Sequence, residues 1–572
     1  MRSKRLFTIT AGIVAGVLLY LGASVGQPQS ANRSALAGIV SSQEEGPMEG
    51  VLVGAKKDGS TMTVYVVSDD KGRYSFPTGR LQSGRYSLQI KAVGYDLTRP
   101  GTVEIAGKTA QLDLKLTKTR DLASQLSNTE WLMSMPGASE WKADLYLCAS
   151  CHTLEPIVRS RHNVDEWIKV LARMSSYYVG STPLKPQKRP APTPEELSLA
   201  DQGRRQGGAN ANTNMAGEGA SPQNKRMAEF LATINLSASP TWKYELKILP
   251  RPKGRGTRVI VTAYGLRRKD SMVHDALHGS DGFVWYGDFG SQFIGKLDSK
   301  TGRVTEYPVP LLKSRYPTGM LDVRLNRDGM LWLAMMAQGG IAKFDTKTEK
   351  FQTYSLPADL NGNNSQVAQV MPFSSHLDGK VWLNSVGSGT VERLDLKSGE
   401  METIYPDQGR FGLYGIGADA ENNLYGNVIG GGAIQRVDAK TKQVKTYPTP
   451  TPNSGPRRGH MDSQSRWWFA ESRVDKFALF DPKTERFQEW PAVTPFTEIY
   501  DVIPDRNGDV WAGGRTSDLI YRLNPKTGQQ TIYALPNKTN IRRVDVDSST
   551  NPPVFWVGDD HSPIIYRLEP LD

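Results

Sequence analysis

The chain has 572 residues, 38% of them apolar, a formal charge of +11 and only two cysteines. That length calls for several cores, and the glycine- and proline-rich composition suits a strand-rich globular protein and excludes a disordered or coiled one. The basic residues are scattered: Lys188, Lys225, Lys253 and Arg255 stand in stretches broken by proline and glycine. The charge therefore reads as a basic solvated surface, with no nucleic-acid partner.

Residues 1–31 read as a signal peptide or a membrane anchor. Arg2, Lys4 and Arg5 precede an apolar run from Leu6 to about Val25, then a small and polar stretch. About 20 apolar residues can span a bilayer, so an uncleaved anchor stays open beside cleavage. Either way the bulk of the chain is expected outside the cytoplasm, periplasmic or otherwise exported. With two cysteines three positions apart, no disulfide framework supports it there.

Residues 35–119 alternate apolar and polar side chains over Val51–Val53, Thr63–Val67, Tyr86–Ile90, Val103–Ile105 and Leu112–Leu116. Turn signals at Asp70-Lys71-Gly72 and Gln82-Ser83-Gly84 separate these runs, which predicts an antiparallel β-sandwich. The strings Gly72-Arg73-Tyr74-Ser75-Phe76, Gly84-Arg85-Tyr86-Ser87-Leu88 and Gly94-Tyr95 resemble the carboxypeptidase regulatory-like (transthyretin-like) domain. The resemblance implies an accessory module, with Tyr74, Tyr86 and Tyr95 in its core.

Residues 120–239 are the helical part. A helix is expected to end over Ala143–Leu147. Val164 to Met174 places Val164, Trp167, Ile168, Leu171 and Met174 on one face, with Asn163 as its cap. Residues 181–222 read as a long mobile loop, with a short helix starting at Pro194. Met227 to Ile234 reads as a final helix.

Cys148-Ala149-Ser150-Cys151-His152 matches the attachment pattern of a c-type haem. Two thiols one turn apart can add to the two vinyl groups of the porphyrin, and the next residue can present its imidazole to the iron. A zinc site needs a second Cys or His pair that the chain lacks, and a redox dithiol needs a different flanking fold. The expectation is one covalent haem c held by Cys148, Cys151 and His152. Met174 is the candidate sixth ligand; Met215, Met227 and His162 are the alternatives. The segment from Trp141 to about Leu231 resembles a small class I cytochrome c domain with a loop insertion.

Residues 242–572 repeat. An aromatic recurs at Trp285, Trp332, Trp382, Tyr425, Trp468, Trp511 and Trp556. A polar residue recurs at Asp298, Asp345, Asp395, Asp438, Asp481, Asn524 and Glu569. Both series step by 47, 50, 43, 43, 43 and 45 residues. Seven copies of about four strands predict a seven-bladed β-propeller. The seventh copy lacks its fourth strand, and the run Tyr244 to Pro250 is expected to supply it. The predicted whole is a multidomain, mainly β protein: a sandwich, a small all-α cytochrome c domain and a seven-bladed propeller. Blade spacing and the Trp-then-acid pattern resemble the virginiamycin B (streptogramin) lyase family.

Asp288, Glu471 and Asp559 share one offset from the blade aromatic, His274, Arg457, Arg458 and His460 open blades, and His561 adjoins Asp559. If these turn to one mouth they form a candidate acid–base group; the alternative is a wet, polar channel lining. Trp468-Phe469-Ala470-Glu471 looks like the lyase family's Trp-Phe-Thr-Glu strand. The family's blade-opening Pro-His is Pro456-Arg457 here, and His274 follows Val273. Calcium near Asp288 or Asp559 and a quinone in the propeller stay open as minor alternatives: two scattered carboxylates are weak evidence for a hard cation, and no signature calls for a quinone.

The expected function is that of an exported c-type haem protein, for electron transfer or as an oxidoreductase, with a redox partner protein or small-molecule substrate at the propeller mouth. Two alternatives stay open. One is a virginiamycin B lyase-like lyase with an accessory haem; the other is a non-catalytic envelope scaffold.

Overall fold

A computed structural model describes residues 34–191, 194, 221–363, 365–405 and 411–571. The export segment, the expected helix over Glu195–Leu197 and Met215 lie outside the described residues. No helix among the described residues is long and apolar enough to cross a membrane.

The N-terminal domain packs two sheets. One contains Ser34–Ser42, Arg73–Pro77, Tyr95–Leu97 and Leu114–Lys118; the other contains Leu52–Lys57, Met62–Val67, Gly84–Lys91 and Gly101–Ile105. Tyr74, Tyr86 and Tyr95 are buried in the core between them. The sandwich is not wholly antiparallel. Ser34–Ser42 runs parallel to Leu114–Lys118 and to the short strand at Ala110–Gln111. Alternation of side chains is the same in either pairing, so the sequence pattern could not separate them.

Six four-stranded sheets follow, spanning residues 273–308, 322–355, 367–404, 413–448, 456–491 and 499–534; these are blades 1 to 6. The inner strand of each contacts that of the next, and the strand Val544–Asp547 of blade 7 returns to Val273–His278, so the ring closes at seven. The repeat markers have plain physical roles. The aromatics fill the spaces between blades: Trp511, for example, stacks on Tyr533 at 5.9 Å and on Phe555 at 5.4 Å. The recurrent acids close the turn before each fourth strand. Asp298, Asp345, Asp395, Asp438, Asp481 and Asn524 each accept the backbone N–H two residues on, at 2.8 to 3.1 Å. The hairpins between first and second strands need a left-handed residue. Gly282, Gly329, Gly379 and Gly508 supply it, and Asn422 and Ser465 take the same conformation in blades 4 and 5.

The closing strand is not the expected one. Val259–Gly265 pairs antiparallel with Ile564–Pro570 and completes blade 7. Its other edge pairs with Met62–Val67, so blade 7 and one sheet of the sandwich form a single eight-stranded sheet. The blade edge is thereby covered by the sandwich, and Arg80 ion-pairs Glu569 across the seam at 2.8 Å. The run Tyr244 to Pro250 forms no strand. Its N–H groups go to the helical unit: Lys247 donates to Ser134 Oγ at 2.7 Å and Leu249 to Glu130 Oε1 at 2.8 Å. Trp242 packs on Trp131 at 5.2 Å.

The helical unit holds five α-helices among the described residues: α1 Asn128–Ser134, α2 Ser139–Cys148, α3 Glu155–Val158, α4 Val164–Ser175 and α5 Pro222–Ile234. Capping boxes start α1 (Ser127 with Glu130) and α4 (Asn163 with Glu166). Its core joins Trp131, Leu145, Leu154, Trp167, Phe230 and Leu231. Residues 181–191, expected within a mobile loop, are tied to blades 1 to 3. The Gln187 side chain donates to the carbonyls of Gly290 and Thr318 at 3.1 Å, and Lys185 donates to Ser291 at 2.7 Å.

Candidate functional site

Cys148 is the last residue of α2, and Cys151 and His152 follow in the turn. Both thiols are free and both residues partly exposed. Burial of the sulfur pushes the Cys148 thiol up to about 12 and raises that of Cys151. His152 Nδ1 lies 2.7 Å from the Thr153 carbonyl, which fixes the ring and leaves Nε2 for another partner. Among the described residues no three His, Cys, Asp or Glu side chains converge as metal-ligand groups do.

This turn sits on the mouth of the ring. Arg515 donates to the Tyr146 carbonyl at 2.8 Å and to Ser150 Oγ at 2.7 Å. Arg542 donates to the Ser150 carbonyl at 2.9 Å and Asn540 to the Ala149 carbonyl at 2.6 Å. His561 Nε2 also lies 2.9 Å from the Ala149 carbonyl. The Tyr146 carbonyl in the last turn of α2, and those of Ala149 and Ser150 just past it, are therefore met by blades 6 and 7.

Beneath the turn, His274, Tyr414, Arg457, Tyr500 and Arg542 stand at the starts of the inner strands. His274 Nδ1 is 2.5 Å from Asp275 and its Nε2 is 3.2 Å from the Tyr500 hydroxyl, which also hydrogen-bonds Tyr414. Burial, partly offset by Asp275, pushes His274 down to about 3, so the imidazole is neutral. Arg457 lies over the Tyr500 ring at 4.1 Å and pairs with Glu498 at 2.9 Å. Arg542 lies over Phe289 at 4.5 Å and pairs with Asp560 at 2.6 Å. Tyr178, from the segment after α4, joins Phe289, Leu321 and Tyr500 in one buried cluster.

One layer deeper, the channel is stitched by polar side chains. Asp275 accepts the N–H of Val323 at 2.9 Å, Asp322 that of Val370 at 3.2 Å, Gln369 that of Ile416 at 2.5 Å, and Asp501 that of Val544 at 3.2 Å. Each acceptor thus ties its blade to a neighbour. Arg458 and Arg543 cross the channel to Asp275 and Asp322 at 3.2 to 3.4 Å. Burial alone would raise Asp275; Arg458, His274 and Arg543 outweigh it and hold the carboxyl well below the usual range.

Asp288, Glu471, Asp559, His274 and His561 lie at one end of the ring, but the candidate acids and imidazoles do not form one constellation. Asp288 pairs with Arg268 and accepts the Gly290 N–H at 3.0 Å, shaping its own turn. Asp559 accepts the N–H groups of Asn540 and His561 at 3.0 and 2.9 Å, and burial pushes it up to about 7. His460 pairs with Asp501 at 3.2 Å inside the channel. Glu471 is fully buried, neither oxygen has a well-placed donor, and burial pushes it up to about 7. His561 contacts the haem-motif turn, and burial pushes it down to about 3. Met174 is 40% exposed near the end of α4. Sequence reasoning missed Asp275, Asp322 and Asp501, although each precedes its blade tryptophan by ten residues. It also missed Arg515, Asn540 and Arg542, whose contacts cross between domains and leave no local pattern.

Residues 255–519, a little under half of the chain, match the virginiamycin B lyase family, and residues 35–117 match the carboxypeptidase regulatory-like domain. No match to a curated protein is found. Among solved structures, a streptogramin B lyase is 19% identical, covers 55% of this chain and 99% of its own, and has a TM-score of 0.48. A catalytically inactive virginiamycin B lyase from Staphylococcus aureus with quinupristin is 18% identical, covering 54% and 99%, at 0.47. The extracellular domain of a two component system from B. thetaiotaomicron is 16% identical, covering 52% and 40%, at 0.41. The chain thus carries a virginiamycin B lyase family region in its propeller and a carboxypeptidase regulatory-like domain in its N-terminal sandwich.

Proposed function

We propose that this is an exported c-type haem protein in which the helical unit carries the haem and the propeller mouth serves as its docking face. The observation that carries the reading is the seating of the Cys148–His152 turn on blades 6 and 7, through four side chains of the ring. A redox group carried there reports on whatever meets the propeller.

The residues present suit a haem. Cys148 and Cys151 would hold the porphyrin by thioether links and His152 would ligate the iron through Nε2. Met174 is the proposed sixth ligand, and a thioether there favours a higher potential than a second imidazole. Trp141 is 51% exposed and Leu147 55%, and the apolar face of α4 at Val164, Ile168 and Leu171 is only half-buried. In a protein these groups are normally covered, and a porphyrin is an apolar body of suitable size. The haem, when bound, supplies one-electron exchange. The chain's own residues fix the attachment turn and keep the mouth closed beneath it: Tyr178, Phe289 and Tyr500 pack there, and His274 stays neutral.

Electron transfer or oxidation at the mouth is favoured over lyase chemistry. Arg457 replaces the family's blade-opening histidine and is committed to Glu498, and His274 is sealed under the turn. One observation speaks for a lyase: Glu471 is buried, unpartnered and carries its proton to about pH 7. The test is expression in a host that matures cytochromes c, followed by a haem stain of the denatured polypeptide. Stain travelling with the chain supports the reading; a colourless chain with two free thiols overturns it. Ester cleavage that survives loss of haem would move the assignment to the lyase.

A further inference from the structure

The propeller does more than carry the helical unit. Arg515 and Arg542 are 2% and 5% exposed at their side chains, and each reaches the five-residue motif. Burying a guanidinium is costly unless its hydrogen bonds are met. Here they are met by Glu498 and Asn540 on the ring side and by carbonyls of Tyr146 and Ser150 on the turn side, and Asp560 lies 2.6 Å from Arg542 as its counter-charge. The Tyr146 carbonyl lies in the last turn of α2 and that of Ser150 just past it, at the negative end of the helix, which favours cations. Arg542, Asp560 and Arg515 all bear electrostatically on the Cys151 sulfur. The charges that bear on Cys151 therefore come from the propeller, while Asp144 of α2 bears on Cys148.

We propose that Arg515 and Arg542 are positioning residues: a clamp by which the propeller seats the Cys148–His152 turn and sets the electrical potential felt there. The inference rests on the haem reading above. Arg542 pairs with Asp560, whereas Glu498 keeps Arg457 when Arg515 is lost. Removing Arg542 therefore leaves an uncompensated anion beside the motif, and an anion stabilises the ferric over the ferrous state. The sign of the change follows: loss of Arg542 lowers the midpoint potential.

The experiment is a reductive titration at pH 8 of the wild-type holoprotein and of Arg542→Gln, Arg542→Lys and Arg515→Lys. Arg542→Gln is expected to shift the ferrous-to-ferric ratio at least tenfold toward ferric, about 59 mV for one electron. Arg542→Lys restores the charge and is expected to recover most of that shift. A glutamine variant within twofold of wild type overturns the electrostatic half of the proposal, and a lysine variant as shifted as glutamine does the same. Alkylation of Cys151 in the haem-free chain tests the seating without any haem. Arg542 favours the Cys151 thiolate, so rates are compared per thiolate from the pH dependence of alkylation; Arg542→Gln is expected to speed the per-thiolate rate at least tenfold, and an unchanged per-thiolate rate overturns the positioning role. A wild-type chain that takes up no haem is a failure of the haem reading, and the alkylation rates still judge the clamp.

Discussion

Asp322→Ala probes the charged layer that stitches the ring. Asp322 is fully buried, accepts from Arg324 Nε at 3.0 Å and from the Val370 N–H at 3.2 Å, and faces Arg458 and Arg543 at 3.4 and 3.3 Å. Three guanidinium groups share it, and Asp275 is the other acid that Arg458 and Arg543 reach. Deleting the carboxylate strands buried cations and frees a backbone N–H, a loss of about 3–5 kcal/mol for a broken buried pair. Asp322→Asn keeps the acceptor and the shape but not the charge, and is expected to lose less. The assay is urea unfolding followed by tryptophan emission, because the blade tryptophans are buried around the ring between successive blades. The midpoint is expected to fall with the slope unchanged, which separates a stability change from a change in exposed surface. An alanine variant that unfolds at the wild-type midpoint would mean that the channel charges do not hold the blades together.

Other outcomes follow from the same geometry. Trp511→Ala removes a side chain stacked between Tyr533 and Phe555 and hydrogen-bonded to Asp505 at 2.9 Å; a loss of about 3–5 kcal/mol is expected in denaturant unfolding, and a loss under 1 kcal/mol would contradict the packing. Glu471 has its folded pKa raised by burial to about 7, so the native state holds the proton more tightly than the unfolded chain. Its contribution to stability is present at low pH and is lost as pH rises from the ordinary carboxyl range to about 7. The stability gained by Glu471→Gln over wild type is therefore expected to grow across that window and level off above it, and a difference independent of pH would be inconsistent with the burial. Met174→Ala is expected to abolish the spectral signature of thioether ligation in the holoprotein; an unchanged low-spin spectrum removes Met174 from the iron.

The ring was legible because its markers have local causes. A tryptophan that fills an interblade space and an acid that closes a turn leave periodic traces whatever the rest of the chain does. The closing strand was not legible for a physical reason. Val259–Gly265 is buried on both faces and at both edges, so it reads as a plain apolar run without alternation. Tyr244 to Pro250 carries the Tyr-Pro ending of a fourth strand, yet its N–H groups are taken by Glu130 and Ser134. At the mouth, offset counting placed Asp288, Glu471 and Asp559 at one end of the ring. It could not show that Asp288 and Asp559 spend their oxygens on their own turns. The contacts of Arg515 and Arg542 with the Cys148–His152 turn join residues some 365 to 392 positions apart, and such a contact has no signature in a single sequence.

Haem content per polypeptide, measured after complete denaturation of protein made with cytochrome c maturation machinery, decides whether Cys148 and Cys151 carry a porphyrin. One haem per wild-type chain, and none retained by the Cys148→Ser/Cys151→Ser double variant, is the expected outcome. A wild-type chain that releases all colour on denaturation, or never gains any, would leave the propeller and the sandwich standing and the redox role without foundation.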